Sequence, residues 1–293
     1  MSWAEGFIAV DWGTTNRRAY RVAADGSCVE ELEDGKGILS VKSEEFEGAV
    51  SEIRDRLGEG PMLLAGMVGS NRGWVEAPYV SCPAGLDELA GGLVWTDDKT
   101  AIVPGVAYSA DRSDVMRGEE VQILGAAASG EIPADCLVCH PGTHNKWVLV
   151  ENSRIQSFRT VMTGELFNLL RKHSILSDSL DTDEMYDAPF RAGVREGLSG
   201  NALTSELFSV RASVLLGRLD KAHAVSFTSG LLIGYDVCAG VSGKSAEPLI
   251  VMGRPELTTL YSKALEEAGV ESRQIDGEGA FLAGARKIAE RIR

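Results

Sequence analysis

An aspartate at the end of a short apolar run is the first group in this chain with chemistry within reach. Phe7-Ile8-Ala9-Val10 has the pattern of a strand covered on both faces, and Asp11 follows it. A carboxylate at a strand end can hold a metal-bound water or a phosphate-bound cation. Gly13 lets the backbone turn where a side chain would block a phosphate. Thr14, Thr15 and Asn16 then offer N–H groups and hydroxyls to phosphate oxygens. Arg17 to Val22 reads as a returning strand, and no Gly-Lys-Ser/Thr follows. The unit is therefore a phosphate hairpin and not a P-loop. A second unit of the same design comes at mid-chain. Cys136-Leu-Val-Cys139 is an apolar strand, Gly142, Thr143, His144 and Asn145 make the turn, and Lys146 to Val150 runs out. Lys146 either adds a charge there or points to solvent. One such unit at the head of each half predicts a nucleotide whose phosphates lie between two domains.

Three further stretches place polar groups at element ends. Gly66 to Tyr79 keeps its backbone bare with Gly66, Gly69 and Gly73 while supplying Ser70, Asn71, Arg72, Trp74 and Glu76. Such a mixture suits a hydroxylated, charged small molecule, with Arg72 on a carboxylate and Trp74 on a carbon skeleton. Asp114 to Gly125 reads as a helix with Glu119 and Glu120 in its first turn. The helix macrodipole alone explains acids there. A catalytic base needs the same place, at the fixed end of an element. Val121, Leu124, Ala127 and Ala128 make the apolar face of that helix, and Glu120 lies one turn before Leu124. Glu120 is thus the first candidate base, Glu119 is rotated off that face, and Asp114 is the fallback. Near the end, Pro248 to Met252 is a buried strand, and the turn at Gly253 and Arg254 lets a flat base or ribose approach the backbone.

The elements that hold these groups mix strand and helix patterns. Phe46, Ala49, Val50, Ile53 and Leu57 have helical spacing, and Met62 to Ala65 and Ala101 to Val103 read as strands, with Gly105 to Ser113 a loop. Thr163 is the expected N-cap of a helix through Leu170, and Pro189 to Cys238 is mostly helical. Small residues at Gly279, Ala280, Ala283 and Gly284 predict a terminal helix in close packing. At 293 residues the chain has room for two domains, and Ala126 to Gly130 before Pro133 places the boundary at 130/131. A formal charge of -14 argues against nucleic acid and against an anionic membrane surface. The five cysteines are scattered; the CxxC pair lies in a strand with its side chains on opposite faces, so reduced thiols are expected and zinc is not. No leader pattern and no apolar run of membrane-spanning length is read, which makes a cytoplasmic location the expectation.

Taken in order, the phrases Val10-Asp-Trp-Gly-Thr-Thr-Asn16, Gly66 to Tyr79, Met116-Arg-Gly-Glu-Glu120, His140-Pro-Gly-Thr-His-Asn-Lys-Trp147 and Phe158-Arg-Thr-Val-Met-Thr-Gly-Glu-Leu-Phe167 span most of the chain. They resemble the 2-dehydro-3-deoxygalactonokinase family, in the sugar-kinase branch of the actin-like ATPase superfamily. The resemblance implies an α/β, two-domain actin-like (ribonuclease H-like) fold, domains at 1–130 and 131–293, and a nucleotide cleft between them. It implies ATP and Mg²⁺ as cofactors and phosphorylation of the 6-hydroxyl of 2-dehydro-3-deoxy-D-galactonate. By the same resemblance Asp11 faces the metal, and Gly13, Thr14, Thr15, Asn16, Gly142, Thr143, His144 and Lys146 face the phosphates. Gly253 and Arg254 lie on the adenosine side, and Ser70, Asn71, Arg72, Trp74 and Glu76 on the sugar-acid side. One departure is visible. The second loop has His140-Pro141 before its Gly-Thr where more typical members carry Asp-x-Gly-Gly-Thr, which shifts metal contacts toward Asp11. Partners are small molecules, and a homodimer is compatible with the sequence. Two rivals are a phosphohydrolase of the same superfamily and a non-enzymatic ATP-switch protein. The loaded 70–79 loop favours the kinase, since a water nucleophile needs no such pocket.

Overall fold

The computed structural model describes residues 2–242 and 248–292. Its strands are β1 (Gly6–Trp12), β2 (Arg17–Ala23), β3 (Cys28–Asp34), β4 (Met62–Gly66), β5 (Val80–Ser81), β6 (Val94–Asp97), β7 (Thr100–Ile102), β8 (Val106–Tyr108), β9 (Asp114–Met116), β10 (Cys136–His140), β11 (Asn145–Glu151), β12 (Arg154–Val161), β13 (Leu249–Gly253) and β14 (Ser272–Asp276). The helices are α1 (Phe46–Leu57), α2 (Leu86–Gly91), α3 (Glu119–Ser129), α4 (Thr163–His173), α5 (Asp187–Leu198), α6 (Leu203–Leu215), α7 (Ala224–Val241), α8 (Pro255–Glu267) and α9 (Gly277–Ala289). The chain divides into two compact units. One holds residues 1–135, 149–158 and 277–293, the other 136–148 and 159–276. A cut at 130/131 therefore needs correcting: the first unit runs on to Asp135, and the chain returns to it twice.

In the first unit a six-stranded sheet has the order β3-β2-β1-β4-β7-β6. β1 runs antiparallel to β2 and parallel to β4, and β4 runs parallel to β7. β1 is covered on both faces, as its uninterrupted apolar run requires. Ile8, Val10 and Trp12 pack with Phe46, Val50, Ile53 and Leu57 of α1 and with Met62 and Leu64 of β4. A smaller sheet, β5-β8-β9, uses residues that the sequence pattern reads as a loop and a helix start. Val106–Tyr108 is strand, not loop, and Asp114–Met116 is strand, not helix. Pairing of β9 to β8 explains both corrections, because each short segment satisfies the other's backbone. α3 and α9 cross through bare backbone. A Cβ on Gly284 would lie 2.0 Å from the Val121 carbonyl oxygen, and one on Gly125 would lie 2.1 Å from that of Ala280. The small residues near the chain's end thus do pack closely, and this contact draws α9 back to the first unit.

The second unit holds β10, β13 and β14 of a five-stranded sheet ordered β12-β11-β10-β13-β14, together with the first part of β11 and the last part of β12. β13 lies parallel to both β10 and β14. Its core joins Leu137 and Cys139 of β10, Trp147 of β11, Leu249 and Val251 of β13, Tyr261, Ala264 and Leu265 of α8, and Phe190, Val194, Ile233 and Val237 from α5 and α7. α5 and α7 approach through two glycine pairs. Cβ atoms on Gly193 and Gly230 would each meet a carbonyl oxygen of the opposite helix at 2.0 Å. The helical stretch Lys221–Val241 is long and apolar enough to cross a membrane by length and composition, which corrects the reading that no run reaches that length. Its apolar window is 72% buried inside the protein, as a core helix gripped by α5 must be.

Candidate active site

The first hairpin is fixed from below and from one side. Asp11 sits at the end of β1, opposite Arg18 of β2 and Ala65 of β4. The Gly13 N–H donates to the Asn16 carbonyl at 2.9 Å and closes the turn, leaving Thr14 and Thr15 exposed. The segment after β3 then laces the turn in place: Gly37, Ile38 and Leu39 donate to the carbonyls of Thr15, Gly13 and Thr14. Gly37 has to be bare, because a Cβ there would lie 2.4 Å from the Thr14 oxygen. Beneath the turn, Arg17 is fully buried. It donates to Asp34 at 2.6 Å and to the Ala49 carbonyl at 3.2 Å, and its guanidinium lies 5.2 Å from the centre of the Trp12 ring.

Two stretches singled out by sequence, 66–79 and 116–120, are brought together by the small sheet. β5 directly follows the first, β9 directly precedes the second, and both pair with β8. Gly66 has φ +89° and lies beside Asp11: a Cβ there would come within 3.4 Å of an Asp11 carboxylate oxygen. Gly118, with φ +111°, presents its bare face to Gly66. The ends of β1 and β4 and the head of α3 are therefore adjacent. In the 66–79 loop, Asn71, Arg72 and Glu76 are exposed, and Trp74 is half-buried and packs on the core of the sheet. Ser70 is buried, its Oγ donating to the Met67 carbonyl at 2.7 Å.

Glu120 has no exposed surface, and both carboxylate oxygens accept from the Gly118 N–H, at 2.9 and 2.7 Å. Burial first and the neighbouring Glu119 second push its carboxyl up to about 8. Glu119 is half-buried and accepts from the Arg117 N–H at 3.1 Å. Asp114 lies at the start of β9, where one carboxylate oxygen accepts from the Val115 N–H. Sequence reasoning missed Arg117. Its guanidinium lies 4.4 Å from the centre of the Tyr79 ring, its Nη2 donates to the Ala77 carbonyl at 2.7 Å, and Gly69 is bare against its Nη1. Nε and Nη1 have no hydrogen-bond partner among the described residues. An arginine directly before Gly-Glu-Glu was the available signal.

In the second unit the turn Gly142–Asn145 meets the head of α4. Glu165 donates its N–H to the Thr143 carbonyl at 3.0 Å, and its carboxylate hydrogen-bonds the His144 ring. Lys146 is buried, not directed to solvent, and its Nζ donates to the His144 carbonyl at 3.0 Å. Thr163 is the first residue of α4 and not its N-cap, because its hydroxyl is drawn to Asp236 instead. Asp236, one turn from the end of α7, is almost fully buried and also accepts from Asn145, Trp147 and Tyr261. Burial raises its carboxyl above the usual range, and these four donors oppose the shift. A lone carboxylate in an apolar helix marked it in the sequence. Above it opens a mostly apolar cavity of about 240 Å³, lined by Gly142, Thr163, Gly164, Phe167, Leu257, Leu260 and Tyr261 among others. Gly253, at the end of β13, faces Pro141 with bare backbone, and Arg254 caps α8, the helix that supplies Leu257 and Leu260.

Residues 11–288 match the model of the 2-keto-3-deoxy-galactonokinase family. The chain is 38% identical to the 2-dehydro-3-deoxygalactonokinase of Escherichia coli (strain K12), over 98% of both chains. A solved structure of a protein assigned as a 2-dehydro-3-deoxygalactonokinase, from Sinorhizobium meliloti, superposes with a TM-score of 0.91 at 35% identity, covering 97% of this chain and 98% of that one. Component A of the (R)-2-hydroxyglutaryl-CoA dehydratase of Acidaminococcus fermentans superposes with a TM-score of 0.55 at 15% identity, covering 97% and 98%. That likeness concerns the fold alone, which is the actin-like ATPase fold of the sugar kinases. On the family match and the full-length identity, this chain is a member of the 2-keto-3-deoxy-galactonokinase family.

Proposed function

We propose that the chain is an ATP-dependent sugar-acid kinase. It transfers a phosphoryl group to the 6-hydroxyl of 2-dehydro-3-deoxy-D-galactonate and yields 2-dehydro-3-deoxy-6-phosphogalactonate. The observation that carries this reading is the identity with the E. coli 2-dehydro-3-deoxygalactonokinase over 98% of both chains. Gly13, Thr14, Thr15 and Asn16 of the first unit are phosphate-binding residues, and so are Gly142, Thr143, His144 and Lys146 of the second. The base of ATP enters the 240 Å³ cavity, whose apolar walls suit a flat ring, with Gly253 and Arg254 on the ribose side.

The donor set fits Mg²⁺ in one way only. Among the described residues no group of three His, Cys, Asp or Glu side chains could hold a metal by itself. Asp11, beside the bare Gly66, would hold the ion through its one carboxylate, the sparse protein ligation that suits Mg²⁺ bound together with a nucleotide. The ion neutralises charge on the phosphates when bound. The protein's own share is positioning. Ser70, Asn71, Trp74 and Glu76 orient the sugar acid, Arg72 holds its carboxylate, and Arg117 is a second cation under the same loop. Glu120 in its ionised form takes the hydroxyl proton as the new bond forms, with Glu119 and Asp114 as the alternative carboxylates. A homodimer and a cytoplasmic location belong to the same proposal; exposed Phe208, Leu215 and Leu216 on and just after α6 support a self-contact.

Asp11→Asn is expected to leave the thermal unfolding midpoint within a few degrees of wild type and to abolish measurable turnover. Near-normal turnover in that variant would remove Asp11 from the metal site. The function itself is tested by ADP release with a panel of sugar acids and with no acceptor. Release that depends on 2-dehydro-3-deoxy-D-galactonate supports the kinase. Equal release without acceptor supports a phosphohydrolase, and none under any condition supports an ATP switch.

A further inference from the structure

Glu165, which pairs with His144 of the second phosphate loop, is left without a task by the reading above. His144 is in the turn between β10 and β11, and Glu165 is in the first turn of α4. Three contacts make turn and helix head one body. The Glu165 N–H donates to the Thr143 carbonyl, the Glu165 carboxylate holds the His144 ring nitrogen Nε2, and Gly164 lies against the turn. A Cβ on Gly164 would come within 2.7 Å of the Gly142 oxygen and 2.9 Å of the Thr143 Cα, so this approach needs glycine. Gly142 and Gly164 both border the 240 Å³ cavity.

Stability does not account for the pair. The His144 and Glu165 side chains are 47% and 38% exposed, and ion pairs so open to water contribute little to folding. Nor is Glu165 spent on capping its own helix, since the α4 N-terminus has no side-chain cap. What the carboxylate does is fix the imidazole's orientation on the turn, with the second ring nitrogen turned away from it. A ring that gives one N–H to a carboxylate and the other to an anion carries both hydrogens and is cationic in that complex.

Resting on the reading of Gly142–Lys146 as a phosphate loop, we propose that His144 contacts the nucleotide's phosphate chain as a charged N–H donor and that Glu165 is its positioning residue. The pair is neutral overall, and its imidazolium presents a positive N–H end from a turn that has His140-Pro141 before its Gly-Thr. Glu165 does not itself touch the nucleotide.

Dissociation constants of wild type, His144→Ala, Glu165→Gln and the double variant for adenosine, ADP and ATP test this. Adenosine should bind all four proteins within about twofold. ATP should bind His144→Ala about 10–100-fold more weakly and Glu165→Gln about 5–10-fold more weakly, as loss of a charge-assisted bond and of its support implies. The double variant should be no worse than His144→Ala, because the two act as a unit. Added imidazole should restore part of the turnover of His144→Ala. ATP affinity and kcat within twofold of wild type in both single variants would overturn the proposal, as would equal losses for adenosine and ATP. Wild-type protein that binds neither adenosine nor ATP would overturn the nucleotide reading as well, so the two failures are told apart.

Discussion

Glu120→Gln is expected to lower kcat by about 10²–10⁴-fold, the usual loss of a positioned base, and above pH 8 to make the protein harder to unfold. The second effect follows from burial. In the unfolded chain this carboxyl has its ordinary value of 4.5, and in the fold it is pushed up to about 8. The folded state therefore binds the proton more tightly. Whatever stability this group contributes is fully present below pH 4.5 and is lost as pH rises through 8. The span between the two values corresponds to a cost on the order of 5 kcal/mol above pH 8. Glutamine keeps an oxygen for the Gly118 N–H and removes the charge, so the variant's unfolding midpoint should exceed wild type at pH 8.5 and converge with it near pH 5. Thermal unfolding at the two pH values checks this, with kcat for Glu119→Gln and Asp114→Asn measured alongside. A kcat loss confined to Glu119→Gln would assign the base to that half-buried neighbour, and one confined to Asp114→Asn would assign it to β9.

Arg72→Ala is expected to raise KM for the keto-acid by about 10–100-fold, equivalent to the roughly 1.5–3 kcal/mol of a charge-assisted hydrogen bond. KM for ATP should hardly move. Arg117→Met separates a binding role from a packing one at the second cation. A buried arginine with two nitrogens unpartnered among the described residues can be replaced by an apolar side chain at little cost or with a gain in stability. If Arg117 only fills space, Met at this position should leave KM unchanged. If it holds the sugar acid, KM for the keto-acid should rise while the unfolding midpoint is kept. Loss of ATP affinity in Arg72→Ala would move that residue to the nucleotide side.

Much of the frame was legible because the signals are local. The apolar run Phe7 to Val10 ending in Asp11-Trp-Gly-Thr-Thr is a buried strand and a phosphate-sized turn, and β1 and β2 form where that pattern puts them. The burial of Glu120 followed from helical phase alone, since the apolar face of α3 carries it inward. What failed depended on tertiary partners, some near in sequence and some far, that a residue pattern does not name. Asp114 to Met116 has no strand pattern of its own and is extended because β8 pairs with it. Thr163 looks like a cap in isolation, but Asp236, far along the chain, takes its hydroxyl. Lys146 at the start of a strand gives no sign that the His144 carbonyl will hold its ammonium group inside. The sequence reading did not register Lys221–Val241 as a run of membrane-spanning length, and its burial against the glycines of α5 fits a core helix. For the candidate site, each loop could be read, while Arg117 and Asp236, which tie separate segments together, could not be placed.

The most direct measurement is the position and partner of the transferred phosphoryl group. ATP and 2-dehydro-3-deoxy-D-galactonate are incubated with the wild-type protein, and the products are followed by phosphorus and proton NMR. The account predicts one phosphomonoester on the C6 oxygen for each ADP formed, with inorganic phosphate near background. Inorganic phosphate equal to ADP with the sugar acid unchanged, or a phosphoryl group on another hydroxyl, would contradict it.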